Sequence, residues 1–311
     1  MESYRPKYTV DLHSHTNRSD GNDEPAEFLR NASEIGMLVV AITDHDVFPP
    51  ATVSVDNKTI PTQEYAKSLG LSVLLGMEVS CETNVDDVHI VCFGCDWGKS
   101  PLSRLPAIVE ESKIESYRQV VERLRLNGMN ILWSELTCDV GRVDGGVQKK
   151  HIFELLAAKG YAESWQAAKI MVRDNPDYDI KRQKPDAIAT IQSIHDAGGI
   201  AILAHPYLID EEVTSEGKLV SRDVFIRRLI DAGLDGIEAT YTYDKTSYKG
   251  KQSPAEIANE VIERYRGLVA IISGGSDYHG DHKKGTKNPR RIGDAGIEVE
   301  YFQNNKILRE L

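Results

Sequence analysis

Histidines and carboxylates gather in short polar clusters along this chain, and most of these clusters directly follow an apolar run. Imidazole and carboxylate groups together form a ligand set for borderline divalent metals such as zinc, manganese and iron. The set is larger than one ion needs, which predicts two or three ions and favours a multinuclear metallohydrolase. The candidate ligands are His13, His15, Asp20, His45, Glu78, His89, His205, Asp277 and His279.

The first cluster has the spacing of a strand. His13 and His15 are two residues apart, so in an extended chain their side chains point to the same face, with Asp11 beside them. Val10 and Leu12 then face the opposite, apolar side. This arrangement is typical of a His-x-His pair that binds a single ion.

Four further candidates share a position at or just after the end of a buried run. His45 follows VVAITD, Glu78 follows SVLLGM, His205 follows IAILA, and Asp277 follows AIISGGS. In parallel α/β barrels the active site lies at the carboxyl ends of the strands. Residues far apart in the sequence are therefore expected to converge on one end of a barrel.

Two parts of the chain alternate between strand and helix patterns, which favours a parallel sheet or barrel. The predicted strands are residues 8–15, 38–42, 71–75, 88–93, 200–204, 236–240 and 268–272. The predicted helices are residues 24–36, 62–69, 185–197, 222–232 and 254–265. Residues 210–221 are polar and predict a surface loop, and no internal repeat is apparent from the sequence.

The middle of the chain has a different character. Residues 101–184 contain helical patterns and few strand signals, and they carry none of the strand-end clusters. We therefore predict a discontinuous barrel, residues 1–100 and 185–311, that is interrupted by a helical insertion or cap. The predicted helices of the insertion are residues 105–126, 150–158 and 164–172.

The composition excludes several classes of protein. Of 311 residues 41% are apolar, enough for a substantial core, and the formal net charge of −11 disfavours binding to an extended nucleic acid. No stretch approaches the roughly 18 apolar residues of a membrane span, and a cytoplasmic location is the default expectation. Cys92 and Cys95 match C-x-x-C, which indicates either a redox or zinc pair or two buried small side chains.

The motifs DLHSHTNRSDG, ITDHD, GMEVS, VHIVCFG, LAHPY and SDYHG, in this order, resemble those of the PHP family, named after its polymerase and histidinol phosphatase branches. The resemblance covers residues 8–100 and 186–282. It implies an α/β fold, a distorted (β/α)7 TIM-like barrel, with up to three manganese, zinc or iron ions at the strand ends. It also implies a metal-dependent phosphoesterase in which a hydroxide between the ions attacks phosphorus.

The resemblance also implies a distribution of ligands. His13 and His15 would bind a first ion together with Glu78 and Asp277, and these four residues would support catalysis through the bound hydroxide. Glu78 would bridge to a second ion. The remaining ligands would be His89 and His205 at the second ion, and Asp20, His45 and His279 at a third.

The insertion resembles that of family members that act on small phosphorylated molecules, including mononucleotides. Lys150 and His151 occupy the place of one phosphate-binding element and Lys181 that of another, with Arg142 as an alternative for a missing arginine. Lysine is a point charge whereas arginine binds phosphate through two donors, so the orientation of the substrate could differ. The basic stretch 282–291 could also hold phosphate or be an ordinary exposed loop.

The leading hypothesis is hydrolysis of a phosphate monoester or cyclic diester of a small metabolite, such as a nucleotide or a sugar phosphate. Two alternatives remain open at this point. The chain could be a non-catalytic metal-binding module that supports a partner, or it could hydrolyse an amide bond at a similar metal site. The sequence does not determine the oligomeric state.

Overall fold

The computed structural model describes residues 4–99, 101–137, 143 and 146–311. The chain divides into two compact units. One consists of the described residues up to Ser103 together with Pro185–Leu311, and the other is Arg104–Lys184. In the described part of the chain, no helix combines the length and the apolar character that crossing a membrane requires.

The described residues of the first unit form eleven strands, seven of which make one sheet in the order β1-β2-β5-β6-β7-β10-β11. The strands are β1 (Val10–Asp11), β2 (Val39–Ile42), β3 (Thr52–Val55), β4 (Lys58–Pro61), β5 (Ser72–Ser80), β6 (His89–Phe93), β7 (Ile200–Leu203), β8 (Glu212–Ser215), β9 (Lys218–Ser221), β10 (Gly236–Thr240) and β11 (Ile271–Gly274). The Leu12 amide donates to Gly274 and the Asp277 amide to His13, so β11 and its extension meet β1. These bonds close the sheet into a distorted barrel.

Helices connect most of these strands. The helices of the chain are α1 (Pro25–Glu34), α2 (Thr62–Ser68), α3 (Leu105–Leu126), α4 (Lys149–Ala158), α5 (Trp165–Arg173), α6 (Ala187–Asp196), α7 (Arg222–Asp231), α8 (Pro254–Tyr265), α9 (Val299–Asn304) and α10 (Lys306–Arg309). Local sequence explains their starts: α8 begins at a proline after Ser253, whose hydroxyl caps the helix. Phe28 of α1 and Tyr65 of α2 pack with Val40 and Val73 of the sheet in an outer core layer.

A second apolar cluster fills the interior of the barrel. It joins Val10 and Leu12 with residues of β2, β5, β6, β7 and β11, including Phe93 and Ile202. Leu308 of α10 is buried in the same cluster, so the C-terminal segment contributes directly to the interior. This cluster lies beneath the polar residues that follow the strands.

One strand runs against the predicted direction. β6 pairs antiparallel with both β5 and β7, whereas β1, β2 and β5 pair in parallel. The prediction of a parallel sheet or barrel therefore fails at this one strand, whereas the predicted α/β barrel is otherwise confirmed. Only residues 81–88 join β5 to β6, which is too short for the crossover that a parallel connection requires. The reversal brings the start of β6, where His89 lies, to the carboxyl ends of its neighbours.

The prediction of a surface loop over residues 210–221 was also wrong. This segment contains the antiparallel hairpin β8–β9, and β3–β4 forms a second hairpin of the same kind. The turn residues Asp56, Asn57, Glu216 and Gly217 all have positive φ, as tight two-residue hairpin turns require. Gly217 takes this conformation at little cost.

The two hairpins belong to an internal repeat that is evident once the elements are compared. Residues 41–80 and 201–240 are related by a constant offset of 160 positions: β3 with β8, β4 with β9, and the start of α2 with that of α7. The offset also matches His45 with His205 and Glu78 with Glu238. Each copy is thus a strand, a histidine, a hairpin, a helix and a strand that carries a glutamate.

The second unit has a core of its own. Residues of α3, α4 and α5, among them Leu124, Phe153 and Val172, pack together with Ile131 and Tyr178. The segment 104–184 therefore buries apolar surface within itself, as an inserted folding unit must.

Candidate metal centre

The nine predicted ligands, which come from distant parts of the sequence, converge at the strand ends. Among the described residues, their ligand atoms form three overlapping groups in which all atoms lie within 4.8 Å of one another. The first group is His13, His15, Glu78 and Asp277; the second is His45, Glu78 and His89; the third is His15, Asp20, His45 and His279. His205 adjoins the second group, with Nε2 3.0 Å from Glu78 Oε1.

Glu78 lies at the middle of this arrangement. It is the seventh residue of β5 and is fully buried. Its Oε2 atom lies 3.1 Å from His13 Nε2, 3.0 Å from His15 Nε2 and 3.1 Å from His45 Nδ1. Its Oε1 atom lies 3.0 Å from both His89 Nδ1 and His205 Nε2. One carboxylate therefore faces imidazoles through both oxygens, which is the geometry of a bridging ligand.

The first group has the dimensions of a coordination shell. His13 Nε2 lies 3.1 Å from His15 Nε2 and 3.6 Å from Asp277 Oδ1, and His15 Nε2 lies 3.0 Å from the same Asp277 oxygen. Nitrogen and oxygen ligands that are each about 2.1 Å from a common ion are separated by about 3.0 to 3.4 Å. The spacing of these side chains fits a single divalent ion.

The hydrogen bonding of Glu78 supports the same interpretation. Among the described residues, its buried Oε2 atom has no partner with hydrogen-bond geometry, although three imidazole nitrogens lie close to it. A buried carboxylate oxygen without a hydrogen bond is costly unless a cation binds it. The nitrogen and oxygen donors of the three groups are the ligands that zinc, manganese and iron accept.

The third group lies nearer the surface. His279 Nε2 is 3.1 Å from Asp20 Oδ1, and His15 Nδ1 is 3.7 Å from the same oxygen. The Asp20 side chain is 56% exposed, in contrast to the fully buried His15. This part of the site is therefore the most accessible to exchange with solvent.

The charges within the site shift its pKa values strongly. Burial alone would lower the pKa of His15, but Asp277 and Glu78 outweigh burial and raise this pKa to about 10. Burial alone would raise the pKa of Glu78. The imidazoles of His45, His13 and His89 outweigh burial, so this pKa lies well below its usual value. These pKa shifts favour the ionised form of Glu78 and the protonated form of His15, and the proton on His15 would leave when metal binds.

Groups outside the nine hold Asp277 in place. The Tyr241 hydroxyl donates to Asp277 Oδ2 at 2.7 Å, and Arg290 Nη1 donates to the same oxygen at 2.6 Å. Arg290 also contacts Asp281. Because two donors occupy Oδ2, only Oδ1 faces His13 and His15, and Asp277 presents a single oxygen to the first group.

The backbone at the site is constrained. His205 and Asp277 have φ values of 28° and 53°, in the left-handed region that residues with a β-carbon seldom adopt. Gly275 allows the chain after β11 to approach β1, because a β-carbon there would lie 2.2 Å from His13 Cβ. Such strain is characteristic of functional sites.

Asp11 lies in different surroundings from the histidines of the first cluster, contrary to the strand prediction. Asp11 does not join His13 and His15 in a ligand group; its carboxylate accepts from the Ser276 hydroxyl and the Gly293 amide. β1 ends at Asp11, so strict alternation does not continue to the histidines. Burial, only partly offset by these hydrogen bonds, raises the pKa of Asp11 to about 6.

Sequence reasoning missed two side chains at the site, Glu238 and Tyr241. Glu238 lies 3.3 Å from His13 through Oε1, and its signal was a lone acidic residue inside the apolar strand GIEAT. Tyr241 has no comparable signal, because a tyrosine after a strand is common. Arg290 belonged to the predicted basic stretch, whereas Arg291 lies over the ring of Tyr4.

The predicted phosphate-binding residues belong to the second unit. Lys150 and Lys181 are exposed, and His151 Nδ1 accepts the Gln148 amide at the start of α4. Arg142 lies outside the described residues. Within this unit Lys181 lines a groove along α3.

Known proteins are similar to this chain in sequence and in fold. Residues 11–197 match the PHP domain. The chain is 27% identical over 274 residues to a phosphoribosyl 1,2-cyclic phosphate 1,2-diphosphodiesterase of Eggerthella lenta, covering 87% of this chain and 94% of that protein. It is 26% identical over 278 residues to a 3′,5′-nucleoside bisphosphate phosphatase of Chromobacterium violaceum, covering 87% of each. A 5′-3′ exoribonuclease of Haemophilus influenzae is 29% identical over 200 residues, 63% of this chain and 68% of the relative.

Two solved structures have the same fold. A proposed metal-dependent phosphoesterase of Bifidobacterium adolescentis superposes with a TM-score of 0.65 at 24% identity, over 97% of this chain and 96% of the other. An amidohydrolase of Chromobacterium violaceum superposes with a TM-score of 0.59 at 22% identity, over 93% and 92%. At these identities the likeness establishes a common fold.

Proposed function

This chain belongs to the PHP domain family, and we propose that it is a metal-dependent phosphoesterase that hydrolyses a phosphate ester of a small metabolite. The substrate class is a nucleotide or sugar phosphate, as a monoester or a cyclic diester. The observation that carries the proposal is the position of Glu78, whose two oxygens face five imidazole nitrogens at 3.0–3.1 Å among the described residues. Such a carboxylate is suited to join two metal sites.

We assign the first ion to His13, His15, Glu78 and Asp277. The second would be held by Glu78, His89 and His205, and the third by Asp20, His45 and His279. Three ions of manganese, zinc or iron suit these mixed nitrogen and oxygen donors. When bound, a pair of such ions makes hydroxide available near neutral pH and stabilises the attacking and leaving oxygens of an in-line displacement at phosphorus.

The side chains have separate tasks in this scheme. Glu78 would take part in both inner sites, because its two oxygens face different imidazoles. Tyr241 and Arg290 hold Asp277 so that one oxygen faces the first group. The buried position of His13 and Glu78 excludes bulk water from one side of the site, which strengthens the electrostatic interactions there.

We propose that the insertion selects the substrate, with Lys150, His151 and Lys181 as candidate phosphate contacts and Arg142 as a further one. The names of the full-length relatives support a small substrate, since one acts on a phosphoribosyl cyclic phosphate and another on a nucleoside bisphosphate. Both relatives align over most of their length. A cytoplasmic site of action remains a prediction from the sequence.

The test is an assay of protein stripped of metal and reconstituted separately with manganese, zinc or iron. The substrates are p-nitrophenyl phosphate, mononucleotides, 3′,5′-bisphosphates, cyclic ribose phosphates and a short 5′-phosphorylated RNA. We expect metal-dependent phosphate release or ring opening with one of the small esters, and no activity in His13→Ala. His195→Ala is the matched control, because His195 pairs with Asp235 outside the three groups.

The same panel separates the alternatives. Exclusive cleavage of the RNA would favour the activity named for the Haemophilus influenzae relative, despite the acidic charge of this chain. An amide substrate is added to the panel, and release of amine from it without phosphate release from the esters would indicate an amide hydrolase. A protein that binds metal but cleaves none of the compounds would be a non-catalytic module, and the proposal would then fail.

A further inference from the structure

The internal repeat gives the candidate site two related glutamates with different surroundings. Glu78 and Glu238 occupy equivalent positions, 33 residues after His45 and His205 respectively. Glu78 faces imidazoles through both oxygens. Glu238 is 3% exposed and belongs to none of the three ligand groups. A buried carboxylate at this position requires its own explanation, because burying an ionised group is costly.

The contacts of Glu238 lead to two of the candidate ligands. Its Oε1 atom lies 3.3 Å from His13 Nδ1, and its Oε2 atom accepts the His205 backbone amide at 2.7 Å. One carboxylate of β10 thus contacts the segment that follows β1 and the segment that follows β7. His13 and His205, which lie in these segments, are assigned to different ions in the proposed centre.

The contact with His13 determines which ring nitrogen is available to a metal. His13 Nε2 is the atom directed at Glu78 and His15. A neutral imidazole carries one proton, so Nε2 can offer a lone pair only if that proton is on Nδ1. An acceptor at Nδ1 stabilises this tautomer, and a carboxylate is the strongest acceptor a protein can place there.

We propose that Glu238 is a positioning residue of the metal centre, a function that rests on the proposed function of the site. It holds His13 in the tautomer that exposes Nε2, and it fixes the backbone of His205 in its left-handed conformation. The two glutamates of the repeat therefore have different roles: Glu78 would bind the ions, and Glu238 would orient histidines that bind them.

Glutamine at position 238 tests this role with almost no change in shape. Its amide oxygen can accept the His205 amide, but its NH2 group then faces His13 Nδ1 and can only donate. Donation to Nδ1 moves the imidazole proton to Nε2, the atom that must bind metal. If the amide flips, its NH2 group meets the His205 N–H and that hydrogen bond is lost. Glutamine cannot satisfy both contacts.

Asp235 offers a matched control in the residue before β10. Its Oδ2 atom accepts from the Ala201 amide at 2.8 Å and lies 2.8 Å from His195 Nε2. It makes the same pair of contacts as Glu238, a backbone amide and an imidazole, but outside the ligand groups. Both contacts are made through one oxygen, and an amide oxygen can accept both, so Asp235→Asn removes the charge of a comparable carboxylate without touching the candidate ligands.

The experiment measures zinc affinity of the full-length chain by competition with a chelator, together with thermal unfolding of the metal-free protein. We expect Glu238→Gln to weaken zinc binding by about 10- to 100-fold, as removal of an outer partner of a ligating histidine does. Asp235→Asn should bind zinc like the wild type. Equal affinity of Glu238→Gln and wild type would overturn the proposal.

A second measurement does not depend on how any variant folds. Nitrogen-15 NMR of histidine in the zinc-loaded wild type should show the His13 proton on Nδ1, whereas a proton on Nε2 would refute the assignment. Both readouts are independent of catalysis. If both readouts are as expected but the wild type has no phosphoesterase activity, only the proposed function is contradicted. If the wild type is active and Glu238→Gln binds zinc as tightly as the wild type, only the role of Glu238 is contradicted.

Discussion

Substitution of Glu78 by glutamine should separate the candidate ions from one another. Glu78 belongs to the first and second ligand groups, whereas the third group, which contains Asp20, does not include it. Glutamine has nearly the shape of glutamate but lacks its charge, and one of its two polar atoms can no longer bind a cation. We therefore expect Glu78→Gln to lose the two inner ions and to retain the outer one.

The expected effect on catalysis follows from the same geometry. The inner ions are those that would supply hydroxide and stabilise the leaving oxygen, each a contribution of several kcal/mol. We expect turnover to fall by at least about 100-fold, which corresponds to about 2.7 kcal/mol of transition-state stabilisation. Asp20→Asn changes only the third group, so it should lose one ion and keep more activity than Glu78→Gln.

Metal content per chain, measured by plasma mass spectrometry after gel filtration without chelator, is the primary assay. Circular dichroism of the same samples establishes that the barrel is intact. The assignment of the ions would be refuted if Glu78→Gln kept the wild-type number of ions per chain. It would also be refuted if Asp20→Asn and Glu78→Gln lost equal numbers of ions. Either result would mean that the three groups do not correspond to separate metal sites.

Three further predictions concern Tyr241 and the insertion. Tyr241→Phe removes the 2.7 Å hydrogen bond to Asp277 and should weaken metal binding by about tenfold with little change in far-UV circular dichroism, and unchanged affinity would exclude this role. Lys150→Ala and Lys181→Ala should mainly raise KM, because they are proposed to bind substrate phosphate, and steady-state kinetics with both KM values unchanged would move phosphate binding elsewhere. Replacing residues 104–184 by a short linker should preserve metal content and slow aryl phosphate hydrolysis but abolish activity on the native substrate, and a soluble, metal-loaded product with full native activity would show that the barrel alone selects the substrate.

Local patterns predicted most of the elements from the sequence. Helix α8 and strand β10 have the predicted bounds, because a proline and a capping serine mark the start of α8 and a short apolar run marks β10. β11 lies later than predicted, at Ile271–Gly274, since Leu268 and Val269 bond back to Tyr265 in the last turn of the preceding helix. β1 is shorter than predicted, because its pairing with β2 covers Val10 and Asp11.

Features that depend on pairing between distant segments could not be predicted in this way. The direction of β6 follows from the short connection 81–88, which was not evident because the preceding strand was predicted to end at residue 75 and extends to Ser80. Nothing in the residues of β6 itself distinguishes it from a parallel strand. The repeat is faint in the residues and becomes evident when its hairpins and helices are aligned. The role of Glu238 likewise depends on contacts with His13 and His205, which lie far away in the sequence.

The burial of the C-terminal segment bears on the side from which molecules would reach the candidate metal centre. In the part of the chain that the structure describes, Leu308 is buried with Val10, Phe93 and Ile202, and the partly buried Phe302 and Leu311 pack on the same cluster. Among the described residues, apolar side chains therefore fill this part of the interior, and none of the candidate ligands belongs to the cluster. Under the proposed function, ions, substrate and product would therefore enter and leave on the strand-end side. Product that has not yet departed would compete directly with the next substrate molecule for the same opening.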